Sequence, residues 1–246
     1  MEIIPIRTKA ILPPQDDLLK KIKDASFELK ESDCIAITSK VVSIWQGRCI
    51  PKNEADRDDL IKKEAQWYLP KSFVPGEAVT HTLKNNYLIS SSGIDTNNGN
   101  GHYILWPDRP QDTASRLLEW FRKEYSISKL YLIITDSRSV LLRRGAMGCA
   151  IAWAGFEPLY YHGGEKDIFQ RTVADYFTTN LPDSLAAAAV LAIGEVGEQT
   201  PLAIIRGVPY FDRENLSGDL SYELTPDEDI YAPFLKSVKW ERGGAD

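Results

Sequence analysis

The chain has 246 residues, of which 43% are hydrophobic and 26% are charged, as is ordinary for a soluble globular protein with a proper core. Its formal net charge of −6 excludes an overall basic field that would recruit nucleic acid or anionic lipid. No apolar stretch approaches the roughly 20 residues of a membrane-spanning helix, and residues 1–7 lack a signal-peptide layout. We therefore expect a cytoplasmic protein that does not act on nucleic acid or membranes.

In the first half of the chain, hydrophobic periodicity predicts strands and helices in alternation. Helices are predicted over residues 15–25 and 53–69, and strands over residues 34–38, 83–91 and 103–105. The apolar residues 41–45 are expected to continue the strand at 34–38 or to form its neighbour. A further helix is expected to begin at Asp112 or Thr113 and to bury the face that carries Leu117 and Phe121.

The second half opens with a buried strand over residues 130–135 that ends at Asp136. An alanine-rich helix follows over residues 183–194, with Asp183 as its N-cap and Gly194 as its stop, and its small side chains favour burial. A strand is predicted over residues 201–206. The alternation lacks a strict βαβ rhythm, so we expect an α+β fold of mixed sheets with packed helices.

The domain organisation is predicted to be one unit over residues 1–246, with a division into two subdomains left open. No repeat or linker separates any part of the chain. The segment at 208–246 is loop-rich and acidic, and the sequence assigns it no role.

The cysteines and histidines point away from zinc. Cys34, Cys49 and Cys149 are odd in number and widely spaced, which does not suit a disulfide framework or a zinc motif. Cys34 and Cys149 lie in apolar surroundings and are expected in the core. The three histidines form no ligand spacing. Any metal is therefore expected to be Mg²⁺ or Mn²⁺ held by oxygen.

Three acids are expected at the ends of elements, namely Asp95, Asp136 and Glu195. An ionised carboxylate at the end of a buried strand costs free energy unless a metal or cation compensates it. Oxygen ligands from separate loops suit hard divalent ions, and two such ions can clamp a polyphosphate. Backbone N–H groups around Gly197 could approach the phosphates. The alternative is that these acids are ordinary turn residues.

Four cations next to apolar segments could face a cleft and bind an anionic substrate. They are Lys40, Arg143, Arg144 and Arg206. The alternative for each is a pair with a surface carboxylate. Neither a Walker loop nor a GxGxxG match occurs in the sequence.

Five stretches, in chain order, resemble the signatures of the coenzyme F420-0:L-glutamate ligase family. They are ITSKVVS at 37–43 with QGR at 46–48, SGIDTNN at 92–98, IITDS at 133–137 followed by RG at 144–145, LAAAAVLAIGE at 185–195 and PLAIIRG at 201–207. The resemblance covers residues 3–208. It implies the mixed α/β fold of the F420:gamma-glutamyl ligases and a homodimer.

The resemblance also implies an activity. Members of the family use GTP and divalent cations, here two Mg²⁺ or Mn²⁺, to couple the amine of L-glutamate to the carboxylate of a deazaflavin cofactor. Because a carboxylate is a poor electrophile, it is first converted to an acyl phosphate. The expected partners are therefore L-glutamate, GTP, a carboxylate-bearing cofactor and a second copy of the chain.

The family's site roles carry over by position. The implied metal ligands are Asp95, Asp136, Ser137 and Glu195, and the implied catalytic residues are Asp136 and Arg144. The implied nucleotide-binding residues are Ile11, Leu12, Ser39, Lys40, Asn98, Ile193, Gly194, Val196, Gly197, Glu198, Gln199 and Thr200.

The chain departs from the family pattern at substrate-side positions. Ile44 stands where a lysine is expected, residues 138–140 replace a Gly-Arg element, and Gln170 replaces a glycine. These departures put the acceptor in doubt more than the reaction, and a folate acceptor is the alternative. A non-catalytic nucleotide-binding relative and an oligomeric scaffold are the remaining alternatives.

Overall fold

A computed structural model describes residues 1–174, 176–211 and 221–245. The strands are β1 Glu2–Ile6, β2 Cys34–Thr38, β3 Cys49–Pro51, β4 Trp67–Leu69, β5 His81–Lys84, β6 Tyr87–Ser90, β7 His102–Ile104, β8 Tyr131–Ser139, β9 Ala146–Ala154, β10 Leu159–Tyr161, β11 Thr178–Asn180, β12 Leu202–Arg206 and β13 Glu241–Arg242. The helices are α1 Leu18–Lys23, α2 Ser39–Trp45, α3 Arg57–Glu64, α4 Pro110–Tyr125, α5 Leu181–Ile193 and α6 Ala232–Leu235.

A five-stranded sheet with the order β1-β12-β2-β8-β9 forms the centre of the fold. Its strands β2 and β8 are parallel, and the other neighbours are antiparallel. Ile35 and Ile37 point to the face covered by α1, α2 and α4, whereas Cys34 and Ala36 point to the face covered by α5. Because both faces are covered, these strands are continuously apolar rather than alternating. The predicted α+β class is confirmed.

The central strands end unevenly, and this unevenness creates the site. The pairing of β2 with β8 stops at Thr38 and Thr135, but β8 continues to Ser139 along β9. A register shift in the β8–β9 pairing falls between Ile134 and Thr135. Asp136 therefore lies inside β8 and not at its end, which corrects the prediction. It does lie one residue past the last pair with β2.

Residues 41–45 are helical, which corrects the prediction of a strand. They belong to α2, in which Val41, Val42 and Ile44 are all buried. The β-branched residues Val41, Val42 and Ile44 favour a strand by intrinsic propensity, which explains the wrong assignment. Propensity is a weak preference, and burial of these side chains against the sheet overrides it.

Two other predictions failed at turns. The predicted helix over 53–69 is only Arg57–Glu64, capped by Asp56, and Trp67–Leu69 is a strand paired with β5. The predicted strand over 83–91 is a hairpin of β5 and β6, because Asn85 and Asn86 both adopt positive φ (49° and 60°). Two consecutive residues at positive φ are what a tight hairpin turn requires.

The predicted N-caps of α4 and α5 are each wrong by a few residues. Helix α4 begins at Pro110, after Arg109, so Asp112 and Thr113 lie within its first turn. Helix α5 is capped by Asn180, whose side chain accepts from the N–H of Asp183. The expected stop at Gly194 is confirmed, with φ 82° and ψ 171°.

The remaining predictions concern the cysteines and the C-terminal segment. Cys34 and Cys149 are fully buried and Cys49 is partly buried; within the described residues all three are free. In the segment at 208–246, residues 221–245 contain α6 and β13, and β13 extends the sheet of β4, β5 and β6. Residues 212–220 and 246 lie outside the described part.

Candidate functional site

The three predicted acids share one hollow at the end of β2. Its volume is about 40 Å³, which is room for a few water-sized species because one water needs at least about 10–15 Å³. The lining residues are Thr38, Lys40, Asp95, Thr135, Asp136, Ser137, Val190, Ile193, Gly194 and Glu195. Four separate chain segments thus line the hollow, and three of them contribute one acid each: Asp95, Asp136 and Glu195.

Asp136 receives a neutral donor on each carboxylate oxygen. The N–H of Ser137 donates to Oδ1 at 2.8 Å, and the indole N–H of Trp106 donates to Oδ2. Burial raises the pKa of Asp136 to about 7, and the negative charge of Asp95 adds to the rise, while the two donors and Lys40 oppose it. The compensation found inside the protein is therefore only partial.

Asp95 is held between a buried cluster and Lys40. Its backbone pairs with Ile104 in an isolated bridge, and the preceding Ile94 is buried with Leu60 and other side chains. The ammonium of Lys40 lies 3.3 Å from Oδ2 of Asp95. Burial raises the pKa of Asp95, and Lys40 opposes the rise. Lys40 thus pairs with a carboxylate of the hollow and not with a distant surface acid.

Glu195 directly follows α5, where Gly194 turns the chain. A Cβ at Gly194 would overlap the carboxylate of Glu198, and its positive φ disfavours other residues. Partial burial raises the pKa of Glu195, and the charge of Asp95 adds to the rise, while Lys40 and the Ser137 hydroxyl oppose it. All three acids thus lie where a further positive charge would stabilise their ionised forms.

The donor set of the hollow suits a hard divalent ion that also binds its substrate. Among residues 1–174, 176–211 and 221–245, no three or more His, Cys, Asp or Glu side chains are grouped so that together they could hold one metal ion. Mg²⁺ does not need such a group, since it usually takes one or two carboxylates together with substrate phosphates. One or two of the carboxylates at residues 95, 136 and 195, with the Ser137 hydroxyl beside them, would supply the protein's share of that pattern.

A second, larger cavity lies next to the hollow and shares part of its wall. Its volume of about 490 Å³ is within the usual range for ligand pockets, and Thr38, Lys40, Ile193, Gly194 and Glu195 line both spaces. The predicted nucleotide-binding residues on its wall are Ile11, Leu12, Lys40, Asn98, Ile193, Gly194, Val196, Gly197, Glu198, Gln199 and Thr200. Ser39 is buried at the start of α2 and is not among the lining residues.

The loop at 194–200 is fixed by hydrogen bonds at both ends. The amide of Asn98 donates to the carbonyl of Val196 at 2.6 Å, and the Thr200 hydroxyl donates to the carbonyl of Ile193 at 2.6 Å. The N–H of Thr8 donates to the carbonyl of Gln199 at 3.0 Å. The first two of these contacts connect the loop to the strand-linking segment near Asp95 and to α5.

This loop already holds an anion, namely its own glutamate. The N–H of Val196 donates to the Glu198 carboxylate at 2.9 Å. Backbone hydrogen bonds from Glu198 itself, Val196 and Gly197 lower the pKa of Glu198. Successive N–H groups aimed at one point form an anion-binding nest, so the loop can present the donors that a phosphate requires.

The remaining predicted cations lie elsewhere. Arg143 and Arg144 are exposed in the turn between β8 and β9, and neither lines the hollow or the larger cavity. The structure therefore does not bring the predicted catalytic Arg144 to the acids. Arg206 pairs with Asp33 at 2.8 Å at the other end of the sheet. It therefore has a carboxylate partner in the chain and does not face the cleft, but that partner is buried and not a surface acid.

Sequence reasoning missed Trp106, whose indole contacts Asp136 directly. Thr38 and Thr135 also line the hollow, whereas the sequence pattern predicts them only as strand residues. Nothing in the sequence distinguishes Trp106 from the other five tryptophans. The only available signal was its place after the strand at 102–104 in the segment that follows Asp95.

Comparison with known proteins assigns the chain to a family. The sequence profile of the F420-0:Gamma-glutamyl ligase family matches residues 6–207. The chain belongs to this family. The predicted family membership is confirmed, and the matched region contains every residue of the hollow and of the larger cavity.

Three curated relatives are named Coenzyme F420:L-glutamate ligase. The Methanopyrus kandleri protein is 28% identical over 85% of this chain and 87% of its own length. The Methanosarcina acetivorans protein is 28% identical over 95% and 99%, respectively. The Methanococcus maripaludis strain C7 protein is 30% identical over 85% and 89%. Separately, no helix within the described residues is long and apolar enough to cross a membrane.

Proposed function

We propose that this protein is a GTP-dependent ligase that joins L-glutamate to the carboxylate of a coenzyme F420-0 type acceptor. The relatives named above support the choice of glutamate and of this acceptor class. The observation that carries the proposal is that two spaces share a wall. A hollow with three carboxylates lies beside a cavity whose wall contains a nest of backbone N–H groups.

The proposal assigns the metal to the hollow. Asp95, Asp136, Glu195 and the hydroxyl of Ser137 would hold Mg²⁺ or Mn²⁺, which supplies positive charge to the transferring phosphoryl group. Two ions are proposed because the resemblance implies them. The proposal draws support from the raised pKa values of the three acids, since burial is the main cause of each rise and the charge of a bound cation would offset it.

The larger cavity is proposed as the GTP site. The N–H groups of residues 196–198 are suited to phosphate oxygens, because they already donate to a carboxylate. Lys40 lies where the two spaces meet and can contribute charge to either. Ile11, Val41 and Ile44 offer an apolar wall for the base and ribose.

Two displacements make up the proposed reaction. The acceptor carboxylate attacks the γ-phosphorus, and GDP leaves, giving an acyl phosphate. The neutral amine of glutamate then attacks the acyl carbon, inorganic phosphate leaves, and the amine nitrogen loses a proton. The protein's contribution is to position the reactants and to stabilise charge, which are the main sources of catalysis in phosphoryl transfer.

A homodimer is part of the proposal. Large apolar side chains are exposed in the turn between β8 and β9 and in the loop between β10 and β11, among them Leu141, Leu142, Ile168 and Phe169. Clusters of such side chains typically mark contact surfaces. Light scattering after gel filtration tests this part, with Leu142→Asp, which is 95% exposed, expected to shift the population toward monomer.

The activity is tested by mass spectrometry of products. The protein is incubated with L-glutamate, GTP, Mn²⁺ and either a deazaflavin or a folate acceptor. We expect an acceptor enlarged by one or more glutamates, with release of phosphate, and no product when Mn²⁺ is chelated. A folate product alone would change the acceptor, while GTP binding without any product would support a non-catalytic relative. Replacing GTP by ATP in the same assay tests the nucleotide.

A further inference from the structure

Trp106 links the hollow to a buried network on the opposite side of Asp136. Its indole N–H donates to Oδ2 of Asp136, and the side chain of Trp106 is only 1% exposed. The other carboxylate oxygen, Oδ1, accepts from the N–H of Ser137 at 2.8 Å. Each oxygen has two lone pairs, so each keeps one for a ligand in the hollow.

The indole ring is fixed from several sides. Gly93 adopts a φ of 69°, and a Cβ there would overlap the indole nitrogen of Trp106. The ammonium of Lys84 lies 5.6 Å from the ring centroid, within the range of a cation–π contact. Tyr87 packs edge-on at 5.9 Å between centroids. The rotamer of Trp106 is therefore determined by its surroundings.

The carboxylate of Glu64 binds two cations, Lys84 and Arg48, that both contact Trp106. Glu64, at the end of α3, accepts from both Lys84 and Arg48 at 2.8 Å. The Nε–H of Arg48 also donates to the backbone carbonyl of Trp106 at 3.2 Å. Arg48 thus fixes the backbone of Trp106, Lys84 fixes its ring, and Glu64 holds both cations in place. The indole N–H of this tryptophan in turn contacts Asp136.

We propose that Trp106 is a positioning residue for Asp136. By donating to one oxygen while Ser137 donates to the other, it fixes the plane of the carboxylate and directs the free lone pairs into the hollow. The catalytic meaning of this role rests on the proposed function. Donors that orient a metal-binding carboxylate typically change metal affinity or activity about 10–100-fold when removed.

The hydrogen bond itself is tested without any substrate. Indole N–H resonances of the six tryptophans are recorded by ¹⁵N-edited NMR in the full-length protein and in Asp136→Ala. We expect one resonance to lie downfield and to exchange slowly with solvent, and to move upfield in the variant while the other five stay. Six unchanged resonances would overturn the proposal.

The positioning role is tested by Mn²⁺ binding, measured from the free-ion EPR signal in the absence of nucleotide. Trp106→Phe keeps an aromatic ring but removes the donor, and we expect its dissociation constant for Mn²⁺ to rise about tenfold. Trp120→Phe is the matched control, since it removes an indole donor from α4 on a residue that lines neither cavity. Its Mn²⁺ affinity is expected to equal that of the unaltered protein.

Turnover separates this inference from the proposed function. In Trp106→Phe we expect a lower kcat and a higher Mn²⁺ requirement, with the KM for GTP within about twofold. Product formation with unchanged Mn²⁺ affinity in Trp106→Phe would overturn the inference and leave the function standing. Loss of Mn²⁺ affinity in a protein that makes no product with any acceptor would leave the inference standing and overturn the function. If Trp106→Phe does not fold, the NMR comparison alone decides the inference.

Discussion

Two aspartates near opposite ends of β2 have opposite kinds of partner. Asp33 is fully buried just before β2, and the guanidinium of Arg206 donates to both of its oxygens at 2.9 and 2.8 Å. Asp136 lies just past the other end, in β8, and the donors described for it are the neutral indole of Trp106 and the amide of Ser137. The structural acid thus has its counter-charge in the chain.

The difference has an energetic meaning. A buried carboxylate with a bidentate arginine is satisfied in charge and in hydrogen bonds. Asp136 is satisfied in hydrogen bonds only, and burial together with Asp95 raises its pKa to about 7. A site that leaves a carboxylate in this condition is suited to receive a cation from outside. The contrast can be broken by changing either acid, and the largest effect is expected at Asp136.

Asp136→Asn should abolish ligation while leaving the fold intact. The amide keeps nearly the same shape, but it removes the charge and places an NH2 group opposite one of the two N–H donors, at a small cost in stability. Loss of one electrostatic stabiliser typically lowers kcat by about 10²–10³. The measurement is the rate of glutamylated product, with urea unfolding as the check on stability. Asp108→Asn, the same change at an exposed acid, serves as the control, and normal turnover in Asp136→Asn would refute the assigned role.

Asp33→Asn should have the reverse effect. The change removes the charge-assisted hydrogen bonds between Arg206 and the buried carboxylate, while solvent still reaches the arginine, whose side chain is 25% exposed. We expect a loss of stability of about 1.5–3 kcal/mol. The free energy of unfolding is measured by urea titration, and turnover is normalised to the folded fraction. Arg206→Met removes the other member of the pair and should behave alike. A loss of turnover per folded molecule, with stability unchanged, would contradict the contrast.

The pH dependence of stability should also separate the two acids. The pKa of Asp136 is raised from an ordinary value of 3.8 to about 7, so between these values the folded state binds more protons than the unfolded state. Its contribution to stability is therefore present at low pH and is lost as pH rises toward about 7. Asp95 and Glu195, whose pKa values are also raised, act in the same direction.

The measurement is the difference in free energy of unfolding between the unaltered protein and Asp136→Asn across this window. The difference should shift in favour of the variant as pH rises and become constant above about 7. Adding Mn²⁺ should shift the difference back toward the unaltered protein, because the ion binds its folded state more tightly than that of the variant. A difference that does not change with pH would show that Asp136 is already charged and compensated.

Much of the site could be predicted because the relevant residues lie in short stretches with strong local character. The apolar run before Asp136, the alanine-rich helix before Glu195 and the glycine-containing turn around Asp95 each indicate where an element ends or turns. The five family signatures add what spacing cannot, namely that these separate segments come together. The hollow at the end of β2 agrees with that expectation.

What could not be predicted depends on contacts between distant segments. Residues 41–45 have the composition of a strand and became a helix because packing on the sheet decides their state. Trp106 is 30 residues from Asp136 in the chain, and no local pattern shows which indole reaches which carboxylate. Arg144 was assigned by analogy, and its position in an exposed turn depends on how β8 and β9 are joined.

The smallest effect is expected in the loop at 194–200. Whereas Asp136 lacks a full counter-charge from the chain, the N–H groups of this loop already have an anionic partner in the chain. The Glu198 carboxylate occupies N–H groups of residues 196–198, so an incoming phosphate must displace it. Glu198→Gln keeps the size of the side chain but weakens its hold on these donors, because charged acceptors bind N–H groups more strongly than neutral ones. We expect GTP to bind a few-fold more tightly, measured by calorimetry.

Glu157→Gln makes the same change in net charge outside the lining of the cavity. Weaker GTP binding in Glu198→Gln than in this control would mean that the carboxylate assists the nucleotide instead of competing with it, and equal binding in the two would mean that the phosphates use other donors.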